Sequence, residues 1–570
     1  MLSFPDTYEI GMSNFAVKIL FEIIESIGGV LCDRVFLPED DCAALMEKIG
    51  YTLHSINYII EAKKFDLIGF TLEYELNYSN VLRLLALAGI AVESKNRGES
   101  EPIIIAGGSA CVNPEPMADF IDVFFIGDGE ETVKSICETL KDAKKSGASR
   151  KEKIEALSKI KGAYVPSYYA AVFDENAVQT GFEPVKDGAA PRVKTVVIPD
   201  LNDARHPLHL MVPNFETVFN RGVVEVARGC KNACRFCQAG FIYRPYRERG
   251  VENIKKIIKE IFLNTGYTEF TLSALTATDH AGLKEIIDYT LNLNSTEDGF
   301  KDALFSVSLP SQRISAFSVE LAGWLSKNKK SGLTFAPEAG SQRMRDVINK
   351  NVSGDDLFST AAAAVESGYK LIKLYFMIGL PFETDEDLLE IAAAVSRVIS
   401  IAREKRARGF SVNVTFSTFV PKPHTPFQWA RQIDRNEIIR KQDIIRAALK
   451  KHREVCMKFT RCDVTTLESA LARGSRALSK VLLAAHKAGC RFDAWDDKLN
   501  IAAWRAAFKD AGMDMDGYAS REILPDEHLP WSVIDTGVNA EFLAEEYAAA
   551  REEKISPICD PDGCRRCGVC

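Results

Sequence analysis

Three cysteines stand close together near the middle of the chain, Cys230, Cys234 and Cys237, spaced C-x3-C-x2-C. Thiolates at this spacing on one loop can ligate three corners of a cubic iron–sulfur cluster and leave its fourth iron open. A closed zinc site would want a fourth protein ligand nearby, and residues 238–279 contain neither His nor Cys. A second group follows at Cys559, Cys564, Cys567 and Cys570, spaced C-x4-C-x2-C-x2-C. Four thiols in so short a stretch are enough for tetrahedral zinc or for a fully ligated second cluster, and spacing does not choose between them. The other seven of the 14 cysteines are scattered and read as small buried hydrophobes.

The elements that must position these groups show as hydrophobic pattern. Residues 1–140 alternate short apolar runs with helical periods, which is the βαβα order of a doubly wound parallel sheet covered on both faces. Ligands of such sheets sit beyond the carboxyl ends of the strands. Those ends carry Thr71-Leu72-Glu73, Gly107-Gly108-Ser109 and Gly127-Asp128-Gly129-Glu130. Residues 141–215 read as a charged linker with a short β segment. From 216 to 430 a second alternating series, with VVEVARGC leading into the first cysteine group, predicts a βα barrel or partial barrel of six or so parallel units. Residues 431–570 read as mainly helical and end in the second cysteine group. The expected fold class is therefore α/β: a Rossmann-like sheet, a partial barrel and a helical carboxyl-terminal region.

Composition sets further bounds. With 570 residues, 46% of them apolar, several buried cores are expected rather than a disordered chain. The net charge of −8 argues against the bulk positive field of a non-specific nucleic-acid binder. No apolar run is long enough to span a membrane and residues 1–20 do not read as a signal peptide, so a cytoplasmic location without membrane partners is expected. The run Tyr243-Arg244-Pro245-Tyr246-Arg247-Glu248-Arg249 fits either a stacking and phosphate-binding surface or an anchored turn. Lys422 and His424 follow the last barrel strand of the pattern, near the expected mouth.

C-x3-C-x-aromatic-C at the end of the first strand of a βα series resembles the radical S-adenosylmethionine (SAM) superfamily. The resemblance implies that Cys230, Cys234 and Cys237 hold a [4Fe–4S] cluster, and that SAM chelates its open iron. One-electron reduction, from a donor such as flavodoxin or ferredoxin, then cleaves SAM to a radical that abstracts hydrogen. It further implies SAM contacts at Phe236, at Ser273 in LSALT, at Arg313 in SLPSQR, at Glu338 in APEAGS and at Gly379 in IGLPFE. FPDTYEIGMSN, GFTLEYELNYSN, AGGSACVNPEPMADFIDVFFIGDGEE and LTFAPEAGSQRMRDVINK extend the likeness to a subgroup with an amino-terminal cobalamin-binding domain, which would use Thr71, Gly107, Gly108, Ser109, Gly127 and Gly129. The D-x-H-x-x-G motif that places a histidine under cobalt is missing, since His54 has Thr52 and Asn57 in the partner positions. The expected reaction is modification of an unactivated carbon of an RNA, peptide or small molecule, by methyl transfer through cobalamin. Two alternatives stay open: a methylthiotransferase-like RNA-modifying enzyme with a terminal auxiliary cluster and a structural first domain, and a non-catalytic iron–sulfur or zinc RNA-binding protein.

Overall fold

The structure, a computed structural model, describes residues 1–175, 178–296, 300, 303–310, 314, 332–560 and 563–569. Five apolar runs become strands β1 (Leu2–Phe4), β2 (Arg34–Phe36), β3 (Leu67–Thr71), β4 (Ile103–Gly107) and β5 (Val123–Phe125), all parallel in the order 2-1-3-4-5. Helices Phe15–Glu25 and Glu130–Lys145 pack together on one face. The first is started by Asn14, whose side chain accepts the Val17 amide at 3.0 Å and so meets one of the unpaired donors of the first turn.

Two boundaries differ from the expectation. The start of the expected linker belongs to the first domain: a capping box at Ser149 and Glu152 starts the helix Arg150–Leu157, and β6 (Ala163–Tyr164), which opens the expected short β segment, adds antiparallel to β5 at the sheet edge. A hairpin of β7 (Tyr169–Phe173) and β8 (Gln179–Pro184) follows, then β9 (Val193–Lys194). The barrel does not stop at 430 either. Its described parallel strands are β10 (Gly222–Glu225), β13 (Glu269–Ser273) and β14 (Ser306–Ser308) in one sheet. A second sheet holds β15 (Leu333–Glu338), β16 (Leu371–Ile378), β17 (Ser411–Thr418) and β18 (Val455–Phe459). A small antiparallel pair, β11 (Ala227–Arg228) with β12 (Arg247–Glu248), leads into the first cysteine group.

Helices 462–510 bury Leu467, Leu471, Leu482 and Trp504 in the same core as Leu82 and Phe124 of the first domain, so the carboxyl-terminal region covers the first sheet. A separate core fills the barrel. After β19 (Ile534–Asp535), which pairs with β9, the helix Ala540–Arg551 packs beside the first cysteine group. No helix among the described residues is long and apolar enough to cross a membrane.

Candidate functional site

Cys230 lies two residues beyond β11, at the carboxyl ends of the barrel strands, and the loop that follows is tied from several sides. The Cys237 amide donates to the Cys234 carbonyl at 3.0 Å, and the Arg235 amide donates to the Ile348 carbonyl at 3.0 Å. The Ala233 carbonyl accepts from Asn349 Nδ2 at 3.2 Å. Thr276 Oγ1 stands 3.9 Å from the Cys230 sulfur, and Asn232 Nδ2 donates to that sulfur at 3.7 Å.

Burial pushes the Cys234 thiol up to about 12 and raises that of Cys237 as well. Unmetallated, these groups hold their protons at neutral pH, and a metal that displaces the protons is what would make them thiolates. Among the described residues no three His, Cys, Asp or Glu side chains gather closely enough for a single ion. Three thiols on one tied loop are the ligand count that leaves one iron of a cubic cluster open.

Lys350 was not singled out from sequence. It is largely buried, which disfavours its charge, yet Glu338 and then Cys234 and Cys237 hold its ammonium above the ordinary lysine value. Its Nζ lies 3.4 Å from Glu338 Oε1. Glu338 closes β15 at a register irregularity and takes a left-handed backbone, φ 68°, which costs a non-glycine residue about 1–3 kcal/mol and often marks a functional position. Burial raises the Glu338 carboxyl, with Lys350 opposing.

Ser273 ends β13 and Gly379 follows β16, so both share the strand ends with Cys230. The Gly379 amide is taken by Glu383 at 2.8 Å. Phe236 is half-buried against the Ala339, Leu380 and Phe427 cluster. Arg313 lies outside the described residues.

A cavity of about 960 Å³ opens between the first sheet and this loop. Small-molecule sites run to about 1,000 Å³, so this is a large one. Its floor includes Gly69, Ile105 and Thr71, its walls include Ile19 and Ile136 of the two packed helices, and its barrel end includes Arg228, Gly229, Tyr243 and Ser273. Thr71, Gly107, Gly108, Gly127 and Gly129 line it; Ser109 does not, and instead donates to Glu73 Oε2 at 2.9 Å. A largely apolar cavity whose upper rim is glycine turns at the carboxyl ends of the strands fits a bulky organic cofactor.

Two of those glycines are also demanded by the fold itself. A Cβ on Gly108 (φ 118°) would stand 2.4 Å from the Leu72 carbonyl oxygen, and one on Gly127 (φ 111°) 2.1 Å from that of Val196. Among the described residues no histidine lines the cavity. His54 instead bonds the Thr52 carbonyl at 2.7 Å and stacks on Tyr51.

Other sequence candidates resolve into structure. The arginines of the 243–249 run are buried. Arg244 lies over Phe241 and Phe542, Arg247 donates to Asp128 at 2.9 Å, and Arg249 donates to the Ala204 carbonyl at 3.0 Å. They are an anchored turn and not a phosphate-binding surface. Lys422 is paired with Glu75 and Glu468, each at 2.8 Å, and His424 bonds the Val112 carbonyl at 3.1 Å; neither lines the cavity.

Cys559 and Cys567 are buried and Cys564 is half-buried, while Cys570 lies outside the described residues. The Cys559 amide donates to the Lys231 carbonyl, inside the first cysteine loop, at 2.7 Å.

The sequence is similar to several known proteins. An uncharacterized protein of Methanocaldococcus jannaschii is 24% identical over 482 residues, 84% of this chain and 89% of its own. The ribosomal protein uS12 methylthiotransferase RimO of Dictyoglomus thermophilum is 25% identical over 256 residues, 43% of this chain and 52% of its own. The solved structure of the radical S-adenosylmethionine methyltransferase TsrM from Kitasatospora setae, with cobalamin and a [4Fe-4S] cluster bound, aligns over 75% of this chain and 73% of that one at 14% identity and a TM-score of 0.49. The family model for the amino-terminal region of radical SAM proteins matches residues 16–166, and that of the radical SAM superfamily matches residues 224–395. Together the two matches take in more than half of the sequence, and the chain belongs to the radical SAM superfamily, in the subgroup that carries this amino-terminal domain ahead of the barrel.

Proposed function

We propose that this radical SAM enzyme modifies an unactivated carbon by methyl transfer through cobalamin, with Cys230, Cys234 and Cys237 as the ligands of its [4Fe–4S] cluster. The observation that carries the reading is the continuity of the cavity. One space runs from the strand ends of the first sheet to Gly229, the residue before the first loop cysteine. When bound, the cluster with SAM supplies one-electron cleavage and cobalamin a methyl carrier.

The chain's own residues do the rest. Glu338 and Lys350 offer a carboxylate and an ammonium side by side at the mouth of the cysteine loop, a match for the amino and carboxylate groups of an amino acid. Lys350 also offsets the negative charge that ionised Cys234 and Cys237 bring. Phe236, Ser273 and Gly379 are the candidate walls of the SAM seat, and the largely apolar lining of the cavity suits a bulky organic group. His54 does not reach the cavity, so no ligation of cobalt by this residue is expected. Electrons would come from an external carrier of flavodoxin or ferredoxin type, and the substrate class is open among RNA, peptide and small molecule.

The test is anaerobic reconstitution with iron, sulfide and cobalamin. Expected are a bound-cobalamin spectrum and formation of both 5′-deoxyadenosine and S-adenosylhomocysteine. Gly69→Val supplies the sharper probe, because the nearest neighbours of its Cβ would be the side chains of Ile105, at 3.4 Å, and Leu2, at 3.8 Å, and no backbone, and Gly69 lines the cavity. It should abolish cobalamin binding and leave unfolding nearly unchanged. Gly108→Val is unsuitable, since it collides with the Leu72 backbone and would break the turn.

The second reading, sulfur insertion with a terminal cluster, draws on the contact of Cys559 with Lys231 and on the likeness to RimO. SAM cleavage by protein that takes up no cobalamin would decide for it.

A further inference from the structure

Five carboxylates line the large cavity, and the fold pairs four of them. Asp66 lies 2.8 Å from Lys144, and Asp128, Glu130 and Glu225 converge on Arg228 at 2.8, 2.6 and 2.8 Å. The fifth is Glu73, just beyond β3. Among the described residues no lysine, arginine or histidine forms an ion pair with it, although Glu75, two positions on, is given Lys422 at 2.8 Å. The side chain of Glu73 takes one hydrogen bond, from Ser109 Oγ to Oε2 at 2.9 Å, where a carboxylate has about four acceptor positions.

The place of this side chain is fixed by the ends of two strands. The Leu72 amide donates to the Gly107 carbonyl at 2.7 Å and the Ala110 amide to the Leu72 carbonyl at 3.0 Å, which stitches the backbone before Glu73 to the turn after β4. The Ser109 hydroxyl also stands 3.1 Å from the Glu73 carbonyl oxygen. Tyr243, which follows the first cysteine loop, lines the same cavity, and its phenol is raised by burial and then by the charge of Glu73, with Ser109 opposing. Glu73 therefore stands where the first sheet faces the barrel, half-buried and with acceptor positions to spare. Desolvating a carboxylate without giving it a donor costs free energy, so the group that enters the cavity is placed to supply one.

The chemistry of that group follows from the acceptor. A carboxylate cannot donate, so it takes an N–H and repels a second carboxylate. The rim of a corrin ring carries carboxamides, which are N–H donors. We propose that Glu73 accepts an N–H from a carboxamide of the corrin rim and so selects amidated corrinoids over those with acid side chains, with Ser109 as its positioning residue. The contact is a hydrogen bond, and no covalent bond changes. The inference rests on the reading of the cavity as a cobalamin site.

The test is binding by the full-length chain, read as the absorbance change of two probes, dicyanocobinamide with amide side chains and dicyanocobyrinic acid with carboxylates. Glu73→Leu should raise the Kd for the amide probe about tenfold, near the lower end for a hydrogen bond to a charged group. Glu73→Gln, which keeps an acceptor oxygen without the charge, should raise it by less. Both variants should bind the acid probe more tightly than the parent does, a gain that damage to the fold does not produce. Ser109→Ala should weaken the amide probe in the same direction as Glu73→Leu and by less. An unchanged Kd for the amide probe, or a loss shared equally by both probes, overturns the proposal, whereas a parent that binds neither probe overturns the underlying cobalamin reading instead.

Discussion

Cys230, Cys234 and Cys237 ride on a loop whose backbone is bonded to Ile348, Asn349 and Phe427, all from the barrel side of the molecule. Cys559, Cys564 and Cys567 ride on a coil, the tail, bonded to that same loop, to Glu546 and Asn349, and to the Asn539 amide, which donates to the Cys567 carbonyl at 2.9 Å. The ligand chemistry is shared and the support is not. A site on a strand end is preorganised by the barrel, whereas a site on a coil must be organised by its metal or by its neighbour. The difference teaches that the two groups should fail in different ways.

The largest effect belongs to the loop. Cys234→Ala should reduce SAM cleavage to the level without protein, while Cys567→Ala should leave measurable cleavage; 5′-deoxyadenosine assayed after anaerobic reconstitution separates the two. Equal and complete loss from both would mean that the tail is as integral to the chemistry as the loop.

Next is Arg235, which joins the groups. Arg235→Ala strips bonds from the carbonyls of Asp346, Val347 and Lys554 and leaves the buried Glu546 with Ser556 and Arg566. Breaking a buried pair from one side costs about 3 kcal/mol. Denaturant unfolding should report that loss, and Glu546→Gln should lose less.

Lys350 and Arg566 sharpen the comparison, because each is the cation beside one cysteine group. Lys350→Met removes the charge facing Cys234 and Cys237, and should weaken SAM binding about tenfold and make the loop cluster harder to reduce, read by redox titration. Arg566→Met, at a side chain 43% exposed, should leave that titration unchanged.

How much of this could be read beforehand follows from locality. The loop cysteines and the five parallel strands of the first sheet were legible, because ligand spacing and continuous apolar runs are both written in neighbouring residues. The short β segment that opens with β6 was legible too, though its pairing with β5 was not; β18 was missed, because it alternates half-buried with exposed positions at a sheet edge inside a charged stretch. Lys350 and Thr276 lie inside the quoted stretches LTFAPEAGSQRMRDVINK and LSALT, but their approach to the cysteines comes through long-range packing and was not read from either stretch. The 243–249 run left an anchored turn and a phosphate-binding surface both open, and the fold decides for the turn by giving each arginine a carboxylate, carbonyl or ring. Gly108 was legible as a turn, but its reason, the backbone of Leu72, was not.

The smallest effect concerns acid, and it again divides the two regions. Next to the loop's strand, His206 accepts the Glu225 amide on Nε2 at 3.3 Å and donates from Nδ1 to the Pro207 carbonyl at 3.1 Å, a pattern that only the neutral ring can make. Burial, then Arg249 nearby, holds its pKa down at about 3, against an ordinary 6.5. His424, at the joint with the first domain, is held by burial at about 4. A folded value below the unfolded one means that the unfolded chain binds more protons between the two, so stability rises with pH across that window and is lost as pH falls from about 6.5 toward 3. Each histidine contributes at most about 1.4 kcal/mol per pH unit there. The bonds that Arg235, Asn349, Glu546 and Arg566 make at the tail involve no histidine, so the first loss on mild acidification should be at the barrel and first-domain side. Unfolding followed from pH 7 to 5 should therefore show a slope that His206→Gln reduces and Ser556→Ala does not. A slope that Ser556→Ala reduces instead would place the acid-sensitive joint where the tail meets Arg235 and Glu546.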